Sequence, residues 1–487
     1  MRKTQVLGGR WKICGQAESI GGELHYNEDE RFIALRLIIA ADEGAPAPHV
    51  PDIGEMPFIT GTLFSGAKVV LYRCRTGQRT EHIPSYTSLV VYAEYAFWGL
   101  AVDNKDDLLF KGACVDFGDI LNWYDLCKYE HELRDKGAPG AYTWNNEKPI
   151  TLTINANLSV SFSPSTTVYF GELFDRNLCL NQTVWVRFDY KVDVPWETII
   201  KDIECVKHLV EVGTAQNVEI DLLKYKHRSK FVDLKTMGGE RYWEEFDVFL
   251  GTGRVSATQK KHEFDFLFTL KEFLAADDGA RRWVENYDKL KPILDLYHNA
   301  QKGLGSPEAT FLSLVQALET FHSRFVTNSL KDYKKRVERL VAMYEDDEIK
   351  KKWEEYLIDE GQKARDKRDD LFLRSRISDL IYADGELPLR CGFGGSFVPT
   401  TEVQQLCDTR NYYTHYDEKK KEKAYSVEEL PTINGYLMCL LEYHMMILVG
   451  FDAKKTEERI SGIVRSISVS EQILDVSRKR YKEKDDQ

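Results

Sequence analysis

Apolar and polar residues alternate frequently through the first 200 residues, and the period changes to that of a helix towards the other end of the chain. Val69-Val70-Leu71-Tyr72, Ser88-Leu89-Val90-Val91-Tyr92, Ile150-Thr151-Leu152-Thr153-Ile154 and Thr183-Val184-Trp185-Val186-Arg187-Phe188 are β-branched and aromatic, and Gly21-Gly22, Gly66 and Asn104 punctuate them as turns. Several such strands without long helices between them predict an antiparallel sandwich or barrel. From about 195 to 290 the pattern is mixed. Trp196 to Val212 and Glu263 to Leu290 read as helical, and Gln216 to Lys226 has room for a strand. Gly303-Leu304-Gly305 is the clearest linker signal.

Beyond it the helical period dominates. Ser306-Pro307-Glu308 combines a serine cap, a proline in the first turn and an acid near the positive helix end. Phe311, Leu314, Val315, Leu318, Phe321 and Phe325 then recur on one face. Further helices are expected near 330–345, 350–360 and 369–383. Gly392-Phe393-Gly394-Gly395 is expected as a loop ahead of another helix. Ser426-Val427-Glu428-Glu429 reads as a capping box opening a helix to about Gly450, and a last amphipathic segment falls near 455–479. The expected organisation is therefore α+β and multidomain. A β-rich, sandwich-like domain spans 1–200, a mixed connecting subdomain 201–300, and an all-α helical bundle 301–487.

Composition narrows the function. With 43% hydrophobic and 30% charged residues the chain is globular, and its net charge of −12 argues against a non-specific polyanion binder. The charge is uneven: residues from 301 onward hold 31 Lys+Arg against 34 Asp+Glu, while the first 300 hold 35 against 44. The helical part is thus close to neutral, and a local basic patch there can still meet RNA. Nine scattered cysteines without CxxC pairs suggest reduced thiols in a cytosolic protein. The longest apolar run, Leu437 to Phe451, is interrupted by Glu442 and His444 and is too short for a membrane span. A cytoplasmic location is expected. Seven of the nine tryptophans lie between residues 11 and 243, and core packing is favoured for them over an exposed ligand platform.

The candidate chemistry lies in Arg410-Asn411-Tyr412-Tyr413-Thr414-His415. Arginine holds phosphate oxygens in a fixed fork and histidine moves protons near neutral pH, which is what metal-free RNA cleavage needs. The spacing alone is weak evidence, since Arg75 and His82 meet a similar spacing beside a strand and turn. Arg410 differs because it continues the stripe Val403, Leu406, Cys407 at helical spacing, and a charge on a packed stripe needs a partner. Asn411 and His415 share a face, but His415 lies about 140° around an ideal helix from Arg410. Either the helix is distorted here, or two copies of the chain complete the site. The dimer is favoured.

The helical region, the Arg-Asn-x-x-x-His string and the earlier Gln316-Ala317-Leu318-Glu319 helix resemble the HEPN family (higher eukaryotes and prokaryotes nucleotide-binding). Residues from about 306 to 450 resemble its ApeA-like branch, and the β-rich part is similar to the domain that precedes it there. The resemblance implies a dimeric, metal-independent endoribonuclease in bacterial defence against phage by abortive infection. It implies Arg410 and His415 as the signature pair, Asn411 as the polar residue after the arginine, and Glu319, more loosely, as an acidic position on an earlier helix. Some HEPN toxins carry a tyrosine two residues after the histidine, which a partner nucleotidyltransferase modifies; that position is Asp417 here, with tyrosine at Tyr416.

The implied reaction uses the RNA 2′-OH against the adjacent phosphorus, leaving a 2′,3′-cyclic phosphate and a 5′-OH. His415 acts as general base or acid, Arg410 stabilises phosphoryl charge, and Asn411 orients His415 or donates to phosphate. Glu319 either pairs with Arg410 or His415 or is a solvated helix charge. Tyr412 and Tyr413 are candidates for base stacking, with packing as the equal alternative. Lys419 and Lys420, in the run Lys419-Lys420-Lys421-Glu422-Lys423, are candidates for phosphate attraction, with a solvated loop as the commoner reading. The expected partners are RNA, a second copy of the chain and a phage-derived trigger. No cofactor or metal is expected, since there is no HExxH and no Cys/His cluster at zinc spacing, and Gly251-Thr252-Gly253-Arg254 reads as a turn rather than a phosphate loop. The competing reading is a non-catalytic helical dimerisation protein whose β-sandwich binds protein or glycan.

Overall fold

Alternation along β1 (Gln5–Ile13) puts Trp11 and Ile13 into a core and leaves Arg10 and Lys12 exposed, the period-2 pattern of a strand with one buried face. The same arrangement recurs in β2 (Ile20–Asn27), β3 (Phe32–Ala40), β4 (Phe58–Leu63), β5 (Lys68–His82) and β6 (Tyr86–Trp98). The computed structural model describes residues 4–13, 19–40, 58–82, 86–118, 120–125, 129–132, 141–144, 148–170, 178–233, 241–253, 265–302, 305–343, 347–365, 371–382 and 399–467. The expected Gly392–Gly395 loop, together with Gly303, Leu304 and the segment beyond residue 467, lies outside them.

The six strands pair antiparallel in the order β6-β3-β2-β1-β4-β5, and β5 pairs back onto β6, so the sheet closes into a barrel. Of the two forms the alternation allowed, sandwich or barrel, closure settles this part as a barrel, which removes free edges. Its interior is filled by Trp11, Leu24, Leu35, Ile59, Leu71 and Val91, among others. Gly61 faces Trp11 in register, and a Cβ there would meet the indole at 2.2 Å. Gly21 and Gly22, expected as a turn, lie inside β2. At Gly22 the reason is close approach: a Cβ would meet the Arg36 carbonyl oxygen at 2.7 Å, and the Trp11 indole N–H donates to the Gly22 carbonyl at 3.2 Å.

The sheet continues from β6 as an open arm. After β7 (Leu109–Asp116) come the short α1 (Leu121–Tyr124), the separate hairpin β8 (Tyr129–Glu132) and β9 (Ala141–Trp144), then β10 (Ile150–Thr153), β11 (Leu158–Phe170) and β12 (Leu178–Pro195). Helix α2 (Trp196–Thr214) follows, and then β13 (Leu222–Asp233) and β14 (Arg241–Leu250). The arm runs β6-β14-β13-β7-β12-β11-β10. Trp196, fully buried, sets its ring edge-on to Phe97 at 4.8 Å and against Phe110 at 5.1 Å, seating the start of α2 on the arm.

The chain divides into two compact units, one of residues 1–207 and 218–257, the other of 208–217 and 258–487. The stretch 201–300, expected as a connecting subdomain, is therefore shared between them: β13 and β14 belong to the sheet, and residues from 258 belong with the helices. The residues on both sides of the expected linker at Gly303 belong to one unit.

The second unit is helical: α3 (Leu270–Ala275), α4 (Gly279–Gln301), α5 (Pro307–Phe321), α6 (Leu330–Met343), α7 (Asp347–Arg365), α8 (Leu373–Tyr382), α9 (Pro399–His415), α10 (Glu418–Lys421), α11 (Leu430–Leu448) and α12 (Ala453–Ile467). Ser306 caps α5 by accepting from the Ala309 N–H at 3.3 Å. The Glu429 carboxylate accepts from the Ser426 N–H at 2.7 Å just before α11, one half of the expected box. α11 is buried on nearly every side, including Glu442 and His444, which makes it the axis around which its neighbours pack. Among the described residues no helix is long and apolar enough to cross a membrane.

Candidate functional site

Helix α9 opens on Pro399, where a missing N–H costs nothing, and ends after His415 because Tyr416 takes a left-handed φ of 51° and returns its N–H to the Tyr412 carbonyl at 2.5 Å. The α-helix runs unbroken from Pro399 to His415, so the distorted-helix route to a joined Arg410 and His415 is not taken. Val403, Leu406 and Cys407 form the buried stripe, and Arg410 follows it half-buried. Burial pushes the Cys407 thiol up to about 12; Asp408 adds to this, while the cations Arg374, Lys420 and Arg410 oppose it.

Arg410 Nη1 donates to Asn411 Oδ1 at 3.3 Å. No carboxylate among the described residues pairs with this guanidinium. The carbonyl of Arg410 accepts from the Thr414 hydroxyl at 2.7 Å. His415 is exposed, and its ring has no hydrogen-bond partner among the described residues. Glu319 is half-buried on α5, which packs on α9, yet it forms no ion pair or hydrogen bond with Arg410 or His415 within one chain.

The flanking candidates separate into held and open groups. The Tyr413 hydroxyl donates to the Tyr425 carbonyl at 3.0 Å, and burial raises it to about 12, so it ties α9 to the segment before α11. Tyr412 lies edge-on to Tyr413 at 4.9 Å and to Tyr416 at 5.8 Å. Lys420 reaches back to the buried Asp408. The lysine run expected as a loop is partly the helix α10, capped by Asp417 through the Lys419 N–H at 3.1 Å. Lys421 pairs with Glu418 at 3.3 Å, whereas the Lys419 side chain has no carboxylate partner among the described residues.

A buried acid–base group that no motif spacing marks lies in the same unit. His322, in a single π-helical turn after α5, bonds Asp379 Oδ2 at 2.8 Å, and Arg336 Nε donates to both oxygens of that carboxylate at 3.0 and 2.8 Å. Burial alone would raise the Asp379 carboxyl, but the bonds from His322 and Arg336 outweigh it and hold it below the usual carboxylate range. His322 and Asp379 are both fully buried. The one advance signal is His322 sitting directly after the apolar face of α5.

Two family models match the chain. ApeA N-terminal domain 1 matches residues 7–277 and Apea-like HEPN matches residues 312–455, the latter containing Glu319 and the whole Arg410–His415 string. No curated protein and no solved structure matches it. The first model takes in the barrel, the arm, α2 and α3; the second covers most of the helical unit. With more than half of its length under the one model and its motif helix under the other, the chain belongs to the ApeA-like HEPN family.

Proposed function

We propose that this protein is a metal-independent endoribonuclease that acts in anti-phage defence by abortive infection. The family is of a nuclease type associated with anti-phage defence. The observation that carries the reading is Arg410: a half-buried guanidinium with no acid partner among the described residues, five residues before an exposed histidine on the same helix. Structural arginines at such positions are normally paired, because an unpaired buried charge is costly. A phosphodiester supplies the missing anion, and the planar fork suits two of its oxygens.

Since one regular helix turns Arg410 and His415 about 140° apart, the site is composite, formed where two copies bring α9 against α9. Such a pair offers two histidines. One removes the 2′-OH proton as that oxygen attacks phosphorus. The other protonates the departing 5′-oxygen, leaving a 2′,3′-cyclic phosphate and a 5′-OH. Arg410 neutralises charge on the equatorial oxygens as it builds, and Asn411 keeps the guanidinium aimed through its 3.3 Å bond. Tyr412 and Lys419 line the approach. Lys420, held by Asp408, shapes α10 instead, and Glu319 awaits the partner copy for any role.

The test is His415→Ala in the full chain. RNA cleavage without added metal falls about 10²–10⁴-fold, and the wild-type products carry cyclic phosphate ends. A 3′-OH product excludes the 2′-OH route. Equal inertness of both proteins at any concentration that supports dimers leaves the non-catalytic binding protein as the correct reading.

A further inference from the structure

The end of α2 and the end of α4, both in the helical unit, carry His208, Glu211 and His298, all three buried. One ligand atom from each lies within 4.8 Å of the others. His298 Nε2 is 3.3 Å from Glu211 Oε2, and His208 Nε2 is 3.9 Å from the same oxygen. The two imidazoles stack at 5.0 Å with 28° between planes, so both Nε2 atoms face one carboxylate.

The outer bonds decide where the protons are. The Tyr297 hydroxyl donates to Glu442 Oε1 at 2.6 Å. Its oxygen then accepts from the Gln301 amide nitrogen at 2.7 Å, which turns Gln301 Oε1 towards His298 Nδ1 at 3.1 Å. A carbonyl oxygen there requires a proton on Nδ1. In neutral His298 the lone pair is therefore on Nε2, aimed at a carboxylate oxygen 3.3 Å away. Two acceptors at that distance repel unless a cation sits between them. His208 is oriented by the Tyr287 hydroxyl, 3.0 Å from its Nδ1, a group able to donate or accept there.

We propose that His208, Glu211 and His298 form a zinc-class divalent metal site, distinct from the Arg410–His415 region. Bonds of about 2.0–2.2 Å in a tetrahedral site set donors about 3.3–3.6 Å apart. The His298–Glu211 pair at 3.3 Å already has the required separation, and His208, with Nε2 3.9 Å from the same oxygen, moves inward to complete the set. Two imidazoles and one carboxylate suit zinc, and Tyr287 and Gln301 are the hydrogen-bonded outer groups that fix ligand orientation. With all three donors buried, the ion is structural: it cross-links the last turns of α2 to the end of α4.

Full-length protein made in zinc-replete medium then holds about one zinc per chain by elemental analysis. His298→Ala and Glu211→Gln lose it, with circular dichroism reporting whether each variant keeps its helices. The wild type gives an independent reading should a variant misfold. Stripping with a chelator lowers its unfolding temperature, and added Zn²⁺ restores it in a concentration-dependent way. Gln301→Leu weakens Zn²⁺ binding about 10–100-fold, as loss of an outer group does. A wild type that carries no zinc and unfolds identically with Zn²⁺ or chelator overturns the site; a proton then bridges His298 and Glu211. Zinc retained equally by folded His298→Ala and Glu211→Gln places the ion elsewhere and also overturns it.

Discussion

At the scale of single residues, the fork of Arg410 and its charge are separable. Arg410→Lys keeps the charge and loses the planar pair of donors, so RNA cleavage should fall about 10²–10³-fold while helix content stays unchanged; an activity assay beside circular dichroism checks this. A fully retained rate would mean that the guanidinium is only a surface charge. Asp379 makes a different prediction. Its carboxyl is held below the ordinary value in the folded state, so its contribution to stability is present above the unfolded value near about 3.9 and is lost as pH falls through the folded value. Asp379→Asn should therefore be less stable by about 3 kcal/mol at neutral pH, the low end for breaking a buried pair because Arg336 is partly exposed, and its acid limb should be flatter. Denaturant melts at two pH values measure both. The Arg410–His415 string was legible from residue types alone. The attachments of its neighbours were not, since Lys420 finds Asp408 and His322 finds Asp379 only once the chain has folded across other helices.

Among the elements, strands and helices followed their periods closely. Three of the four expected strand segments fall wholly in strands, and Ile150–Ile154 overruns β10 by one residue. The cap at Ser306 is where polar patterning put it, whereas α11 starts only at Leu430, after a half-formed box. What alternation cannot convey is the partner of a strand. β6 pairs with β5 along its length, and its other edge passes from β3 at Tyr92 to β14 at Tyr95, a change set by contacts far apart in sequence. Glycine was the ambiguous letter: Gly22 reads as a turn but serves as a gap for a neighbouring backbone and an indole. Gly61 serves Trp11 likewise, and Gly61→Ala should destabilise the first unit by about 1–3 kcal/mol, visible as a lower unfolding midpoint. An unshifted midpoint would show that the indole has room to move.

On the scale of the whole molecule, the expected boundaries at 200 and 300 followed composition, whereas the chain is partitioned by pairing. A cut near 200 removes β13 and β14, leaving β7 without one neighbour and the end of the barrel strand β6 without β14. Fragments ending near 200 should aggregate, and fragments that include β14 should be more soluble; expression of both, with sedimentation, tests this. The interleaving of β7 between β12 and β13 also has a consequence for synthesis on the ribosome. β1 to β6 can close as soon as they emerge, but the exposed edges of β6 and β7 wait for residues 222–250. The nascent chain thus passes through a window in which a half-built sheet must be shielded. The helix bearing Arg410 and His415 is translated only after that window has ended, so a growing chain never displays the motif ahead of a finished sheet.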